Sequence, residues 1–155
     1  MLREYDYEGS MSVFENQLTK VGITTDILDI TDYIGCTYSE LQGTVDEYAK
    51  LFPFTITIKF NVNGEFANLE ECENELYEKC KQIVYANNLK DILEMENHVP
   101  VVVNPYFKVK DDTVIIKGEI ARYFYKHLKA LKEDESYTKI QQVFQLPVEN
   151  FELEV

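Results

Sequence analysis

The stretch Phe54-Thr-Ile-Thr-Ile-Lys-Phe-Asn-Val62 constrains this chain more than any other. Phe54, Ile56, Ile58, Phe60 and Val62 fall on one side, with Thr55, Thr57 and Lys59 on the other. Successive side chains alternate across a strand, so the run predicts a half-buried strand. A strand with one apolar face requires a sheet, and a further layer to cover that face. Asn63-Gly64 behind it is a tight-turn signal.

Helices are predicted on both sides of that strand. Asn68 is a good N-cap, with Glu71 at the spacing of a capping box. From Leu69 to about Ala86, the residues Leu69, Cys72, Leu76, Cys80, Ile83 and Val84 trace one apolar stripe. Glu70, Glu71, Glu73, Glu75 and Glu78 crowd its first turns, where the helix dipole favours acid. A short helix to Met95 is expected to follow. Residues 39–52 predict another helix, with Ser39 and Gln42 at box spacing, Leu41, Val45, Tyr48 and Phe52 inward, and Pro53 as its stop.

The remaining elements read less sharply. Residues 2–8 alternate and predict a strand, which places Glu4, Asp6 and Glu8 in a ladder on its exposed side. Residues 11–20 fit either regular structure. Thr25 to Ile34 reads as a short helix capped by Thr25 and stopped by Gly35, with a strand as the alternative. Val99–Val103 is apolar, but Pro100 and Pro105 assign it to an edge or a bend. Tyr106–Lys110, Asp111-Asp112 and Thr113–Lys117 predict a hairpin. Residues 119–132 predict a helix with Ile120, Phe124, His127, Leu128 and Leu131 inward. Ile140–Val148 and Phe151–Val155 alternate like strands. These elements predict one α+β domain over residues 1–155, its mostly antiparallel or mixed sheet flanked by two to three helices.

Charge narrows the partners. The formal net charge is −13, with 15 Lys plus Arg against 28 Asp plus Glu. From Met1 to Ala49 the only basic residues are Arg3 and Lys20. Such a surface repels nucleic acid and anionic membranes and attracts basic proteins. Arg122, Lys126, Lys129 and Lys132 form one local basic patch, too small for direct nucleic-acid binding. No run approaches the ~20 apolar residues of a membrane helix. The N-terminal residues lack the layout of a signal peptide, and three cysteines are an odd number, so a reducing, cytoplasmic setting is expected.

Catalytic and metal motifs are thin. The sequence lacks Gly-x-Ser-x-Gly, a phosphate-binding glycine loop and His-Glu-x-x-His. Cys36, Cys72 and Cys80 show no zinc spacing, and the only histidines are His98 and His127. Cys72 and Cys80 lie on the apolar stripe of their helix and read as inert, leaving Cys36 as the accessible thiol. Asp111-Asp112 and Glu133-Asp134-Glu135 lack a calcium-loop pattern and read as turn chemistry. No cofactor or metal is predicted.

The expected function is therefore binding. Glu4, Asp6, Glu8, Asp26, Asp29, Asp32, Asp46 and Glu47 are the predicted partner-binding residues. Alternate residues of a strand lie about 6.7 Å apart, close to the spacing of phosphates along a nucleic-acid strand. A non-enzymatic inhibitor that blocks a nucleic-acid-binding protein's basic groove, of the kind phages and mobile elements encode, is the reading this suggests. The plain alternative for the acids is a solvated, aggregation-resistant edge. The alternative function is a self-assembling or chaperone-like subunit, pairing through the strand near Val101 and the alternating tail. A small-ligand binder or enzyme is the third class.

Overall fold

Leu51–Phe60 (β1) lies at the centre of the sheet, as its alternation requires. Phe54, Ile56, Ile58 and Phe60 are buried, while Lys59 is exposed. The computed structural model describes residues 4–85, 100–128 and 133–154, of which 4–10, His127 and 133–136 are described at the backbone only. The expected helix up to Met95, His98 and the basic Lys129 and Lys132 lie outside the described residues. β1 pairs antiparallel with Thr113–Ala121 (β3) on one side and Val148–Glu154 (β4) on the other. Val103–Lys110 (β2) pairs antiparallel with β3, so the four strands run in the order β2-β3-β1-β4.

The chain connects these strands as two interleaved βαβ units. Leu69–Tyr85 (α3) carries it from β1 to β2. Arg122–Leu128 (α4) and Glu133–Phe144 (α5) carry it from β3 to β4. Glu4–Lys20 (α1) and Tyr38–Tyr48 (α2) precede the sheet and pack on each other. The fold is α+β, with an antiparallel sheet and five α-helices among the described residues.

The inward face of the sheet is one apolar surface. Ile56 pairs with Ile116, and Ile58 sits between Val114 and Phe151. Phe60 meets Phe144 of α5 with ring centroids 4.9 Å apart. Gly118 of β3 is paired with Phe54, and a Cβ there would stand 2.6 Å from Val102 Cγ1 and 3.1 Å from the Phe54 ring. Glycine is thus required by space rather than by backbone angle. Lys79 Nζ on α3 donates to the Phe144 carbonyl at 2.8 Å, tying the two covering helices together.

α3 forms as its spacing predicts. Asn68 Oδ1 accepts from the Glu71 N–H at 2.8 Å, and Glu71 Oε2 accepts from the Ala67 N–H at 3.2 Å. Cys72, Leu76, Cys80, Ile83 and Val84 are buried. Leu69 is not; as the first helical residue it stands 54% exposed, before the stripe meets the sheet. The hairpin is present as well, with β2 and β3 joined at Asp111-Asp112 and Asp111 held at φ 54°.

Five expectations need correction. Residues 4–8 belong to α1 and not to a strand. Phe14 and Leu18, four apart, are buried on α1, and this helical spacing overrides the short acidic–aromatic alternation ahead of it. Thr25–Ile34 is a turn followed by a 3₁₀ helix, Ile30–Tyr33, capped by Asp29 rather than Thr25. α2 is capped two residues ahead of the predicted Ser39–Gln42 box, with Thr37 as N-cap and Glu40 closing it, and it ends at Tyr48. Phe52 and Pro53 belong to β1. β4 pairs only with Thr55–Phe60, so Pro53 has a strand on one side alone, where proline is tolerated. Glu119–Ala121 extends β3, so the helix predicted over 119–132 begins at Arg122. Ile140–Val148 is mostly α5: Ile140 and Phe144 are buried at helical spacing, and Gln145 ends the helix at φ 59°.

Candidate functional site

The predicted acidic residues lie in the N-terminal helical layer. Asp26, Asp29, Asp32, Asp46 and Glu47 are all exposed. Asp29 has a structural task, since its Oδ1 accepts from the Thr31 N–H at 3.0 Å and from Thr31 Oγ1 at 2.7 Å. Those hydrogen bonds, the side-chain one first, hold its carboxyl below the usual carboxylate range. Asp46 Oδ1 accepts from Gln42 Nε2 at 3.3 Å. Asp32 and Glu47, from different elements, both bear on Tyr33 through their charge. Burial chiefly pushes the Tyr33 phenol up and Tyr48 adds to this, a hydrogen bond with Thr44 acts the other way, and the charges of Glu47 and Asp32 add smaller amounts. Among the described residues the ion pairs are Lys59–Glu149 at 3.8 Å and Lys81–Glu78 at 4.0 Å, so none of these five acids is neutralised by a described cation.

Glu4, Asp6 and Glu8 lie in the first turns of α1. A helix rises about 1.5 Å per residue, so the three positions span about 6 Å of axis and form no evenly spaced ladder.

Exposed apolar side chains share this layer. Val13 of α1 and Tyr38 of α2, 53% and 56% exposed, line one shallow seam with Gln17 and Gln42. Ile34, after the 3₁₀ helix, is 65% exposed. Phe14 packs its ring 5.4 Å from that of Tyr33, anchoring α1 to the acidic segment.

The outward face of the sheet was not legible as a surface from the sequence. Its rows follow from the pairing: Tyr106, Lys117, Thr55 and Glu154 in one, and Lys108, Ile115, Thr57 and Glu152 in the next. Lysines thus gather toward β2 and glutamates toward β4. An open groove of about 780 Å³ follows the outer edge of β2, lined by Tyr77, Phe107, Lys108, Val109 and Lys110 among others. The alternation Tyr106-Lys108-Lys110 signalled an exposed strand face. The strand order, which sets β2 at one margin and β4 at the other, had no local signal.

Of the predicted basic patch, Arg122 and Lys126 are described, both on α4. Arg122 lies 4.9 Å from the Phe52 ring centroid, against which its guanidinium packs, and Lys126 is exposed.

None of the thiols is held as a thiolate, the reactive form. Cys72 and Cys80 are fully buried. Burial pushes Cys80 up to about 12, and burial followed by the charges of Asp112, Asp111 and Glu73 raises Cys72. Cys36 is half-buried, and desolvation, then a hydrogen bond with Glu40 and its charge, raise it too. Among the described residues no group of three or more His, Cys, Asp or Glu is placed to hold a metal, and no helix is long and apolar enough to cross a membrane. Compared with known proteins, the chain matches no family model, no curated protein and no solved structure.

Proposed function

We propose that this chain is a non-enzymatic binding protein whose acidic N-terminal helical layer docks on a basic surface of another protein. The observation that carries the reading is the coincidence, in one layer, of exposed apolar side chains and unneutralised carboxylates. Val13 and Tyr38 flank a seam, Asp46 is bound to Gln42 at its margin, and the exposed Asp32 and Glu47 both bear on Tyr33 through their charge. Protein interfaces combine an apolar centre with a charged rim, and exposed apolar patches mark them. The carboxylates would steer a basic partner and set its salt dependence.

The sharper form of the reading is a partner whose basic groove otherwise holds nucleic acid. Acid density supports it; even spacing does not, since α1 replaces the ladder.

The test uses the full chain and the variant Asp26→Lys/Asp32→Lys/Glu47→Lys, which leaves the Asp29 cap intact. Exposed charge changes usually stay within about 0.5 kcal/mol each, so the variant should fold. A partner captured from extract of the source organism should associate more slowly as salt rises. The variant should associate more slowly still and lose most of that salt dependence. Competition by nucleic acid would support the sharper form. Equal rates for both proteins would assign these acids to solubility and overturn the proposal.

A further inference from the structure

We propose that copies of this chain join head to tail, the end of β4 in one copy adding to the outer edge of β2 in the next. The result is a row with one continuous antiparallel sheet. This inference stands apart from the acidic-layer reading and rests on different residues.

The two margins of the sheet are complementary in direction and chemistry. All neighbouring strands are antiparallel, so β2 and β1 run one way and β3 and β4 the other. A second copy placed in the same orientation therefore brings β4 against β2 antiparallel, as a continued sheet requires. Antiparallel pairing sets one register in which three consecutive positions match. Glu152 faces Lys110, Leu153 faces Val109, and Glu154 faces Lys108. The two charged pairs lie on the outward face, in the rows already described. Leu153 and Val109 are both half-buried and both point toward the helices, since they pair with buried Ile56 and Val114. Opposite charges directly across strands stabilise a pair, and like charges destabilise it.

The same charges disfavour the symmetric alternatives. Two β2 edges centred on Val109 would set Lys108 against Lys110 twice. Two β4 edges centred on Leu153 would set Glu152 against Glu154 twice. The pattern selects the unlike pairing, which does not close on itself and so propagates.

Among the described residues, no strand covers either edge where the register needs it. The groove along β2 lies beside Phe107–Thr113, and no described strand pairs with that side. Among the described residues, Lys108 and Lys110 form no ion pair. On β4, α5 satisfies the early part of the strand. The Val148 N–H donates to Gln141 Oε1 at 3.0 Å, and the Phe151 N–H donates to the Tyr137 hydroxyl at 3.1 Å. Those contacts stop short of Glu152–Glu154 and limit the joint to those three positions. With so short a joint and a net charge of −13 per copy, assembly depends on concentration. Salt near 0.15 M, with a Debye length of about 8 Å, screens the long-range repulsion more than the direct contacts.

Sedimentation of the full chain over a concentration series tests this. The wild-type mass should climb past that of a dimer. Lys108→Glu/Lys110→Glu alone should lose the concentration dependence, and so should Glu152→Lys/Glu154→Lys alone. Mixing those two variants should restore it, because each then offers the margin the other lacks. Carrying all four changes in one chain should also restore it. These rescues separate the joint from a general effect of charge or folding. A wild type that stays monomeric at every concentration, or stops at a dimer, would overturn the proposal. So would single-edge variants that assemble like wild type, or a mixture that does not recover.

Discussion

The two faces of one sheet obey different rules. On the inward face, Phe54, Ile56, Ile58 and Phe60 are clamped between neighbouring strands and two helices, and each is at most 2% exposed. On the outward face of the same strand, Thr55 and Thr57 are half-buried and Lys59 is exposed. One strand therefore supplies both the core and a surface. The core face is set by shape and volume, and the outward face by charge and hydrogen bonding. Changes on the first should be felt as stability, and changes on the second as partner choice.

The strongest test of that contrast is Ile56→Ala. It removes a fully buried side chain from between Ile116 and Leu153 and should cost about 2–5 kcal/mol in urea unfolding. Thr57→Ala, one residue along, should cost no more than about 1 kcal/mol, the span of strand propensity. Equal costs would erase the distinction between the faces. Next is Gly118→Ala, where the added methyl would meet Val102 and Phe54. Overpacking of this kind costs about 1–3 kcal/mol. A neutral result would mean that Val102 moves aside freely.

A third test concerns the thiol buried beneath the inward face. Cys80 is neutral when folded, with its pKa raised to about 12, while an unfolded thiol ionises near 8.5. Above that lower value the unfolded state releases a proton that the folded state keeps. Stability from this group is thus complete below about pH 8.5 and falls as pH rises toward 12, by up to about 1.4 kcal/mol per pH unit. Cys80→Ala should flatten part of this slope in unfolding measured from pH 8 to 11. An unchanged slope would remove Cys80 as its source. In native labelling, Cys36 should react ahead of Cys72 and Cys80.

What could be read from the sequence follows the strength of the local pattern. β1, α3 and the β2–β3 hairpin each carry a long apolar repeat or a decisive turn, and they stand where expected. α5 was misread because Ile140, Val143, Phe144, Leu146 and Val148 mix two spacings, and only burial of Ile140 and Phe144 against the sheet chooses the helix. Residues 4–8 were misread because a few alternating acids and tyrosines imitate a strand, while Phe14 and Leu18 determine the helix from further along. The exposed acids at Asp26, Asp32, Asp46 and Glu47 were legible, since charge seldom stays buried without a partner. The joint effect of Asp32 and Glu47 on Tyr33, and the opposed margins of the sheet, depend on packing and strand order, which no local window contains.

The central position of β1 has a consequence for how the molecule is made. Ile58 needs Val114 on one side and Phe151 on the other, and both lie far downstream. As the chain leaves the ribosome, its most adhesive strand emerges early and finds neither neighbour. One flank can be sealed once the hairpin arrives, and the other only when the last strand is out. Until then an unpaired edge lined by phenylalanine and isoleucine is open to any strand nearby. The newborn chain is therefore most vulnerable from the emergence of β1 until the hairpin arrives, it stays open on one flank until the tail is out, and slowing synthesis in either interval would lengthen the exposure.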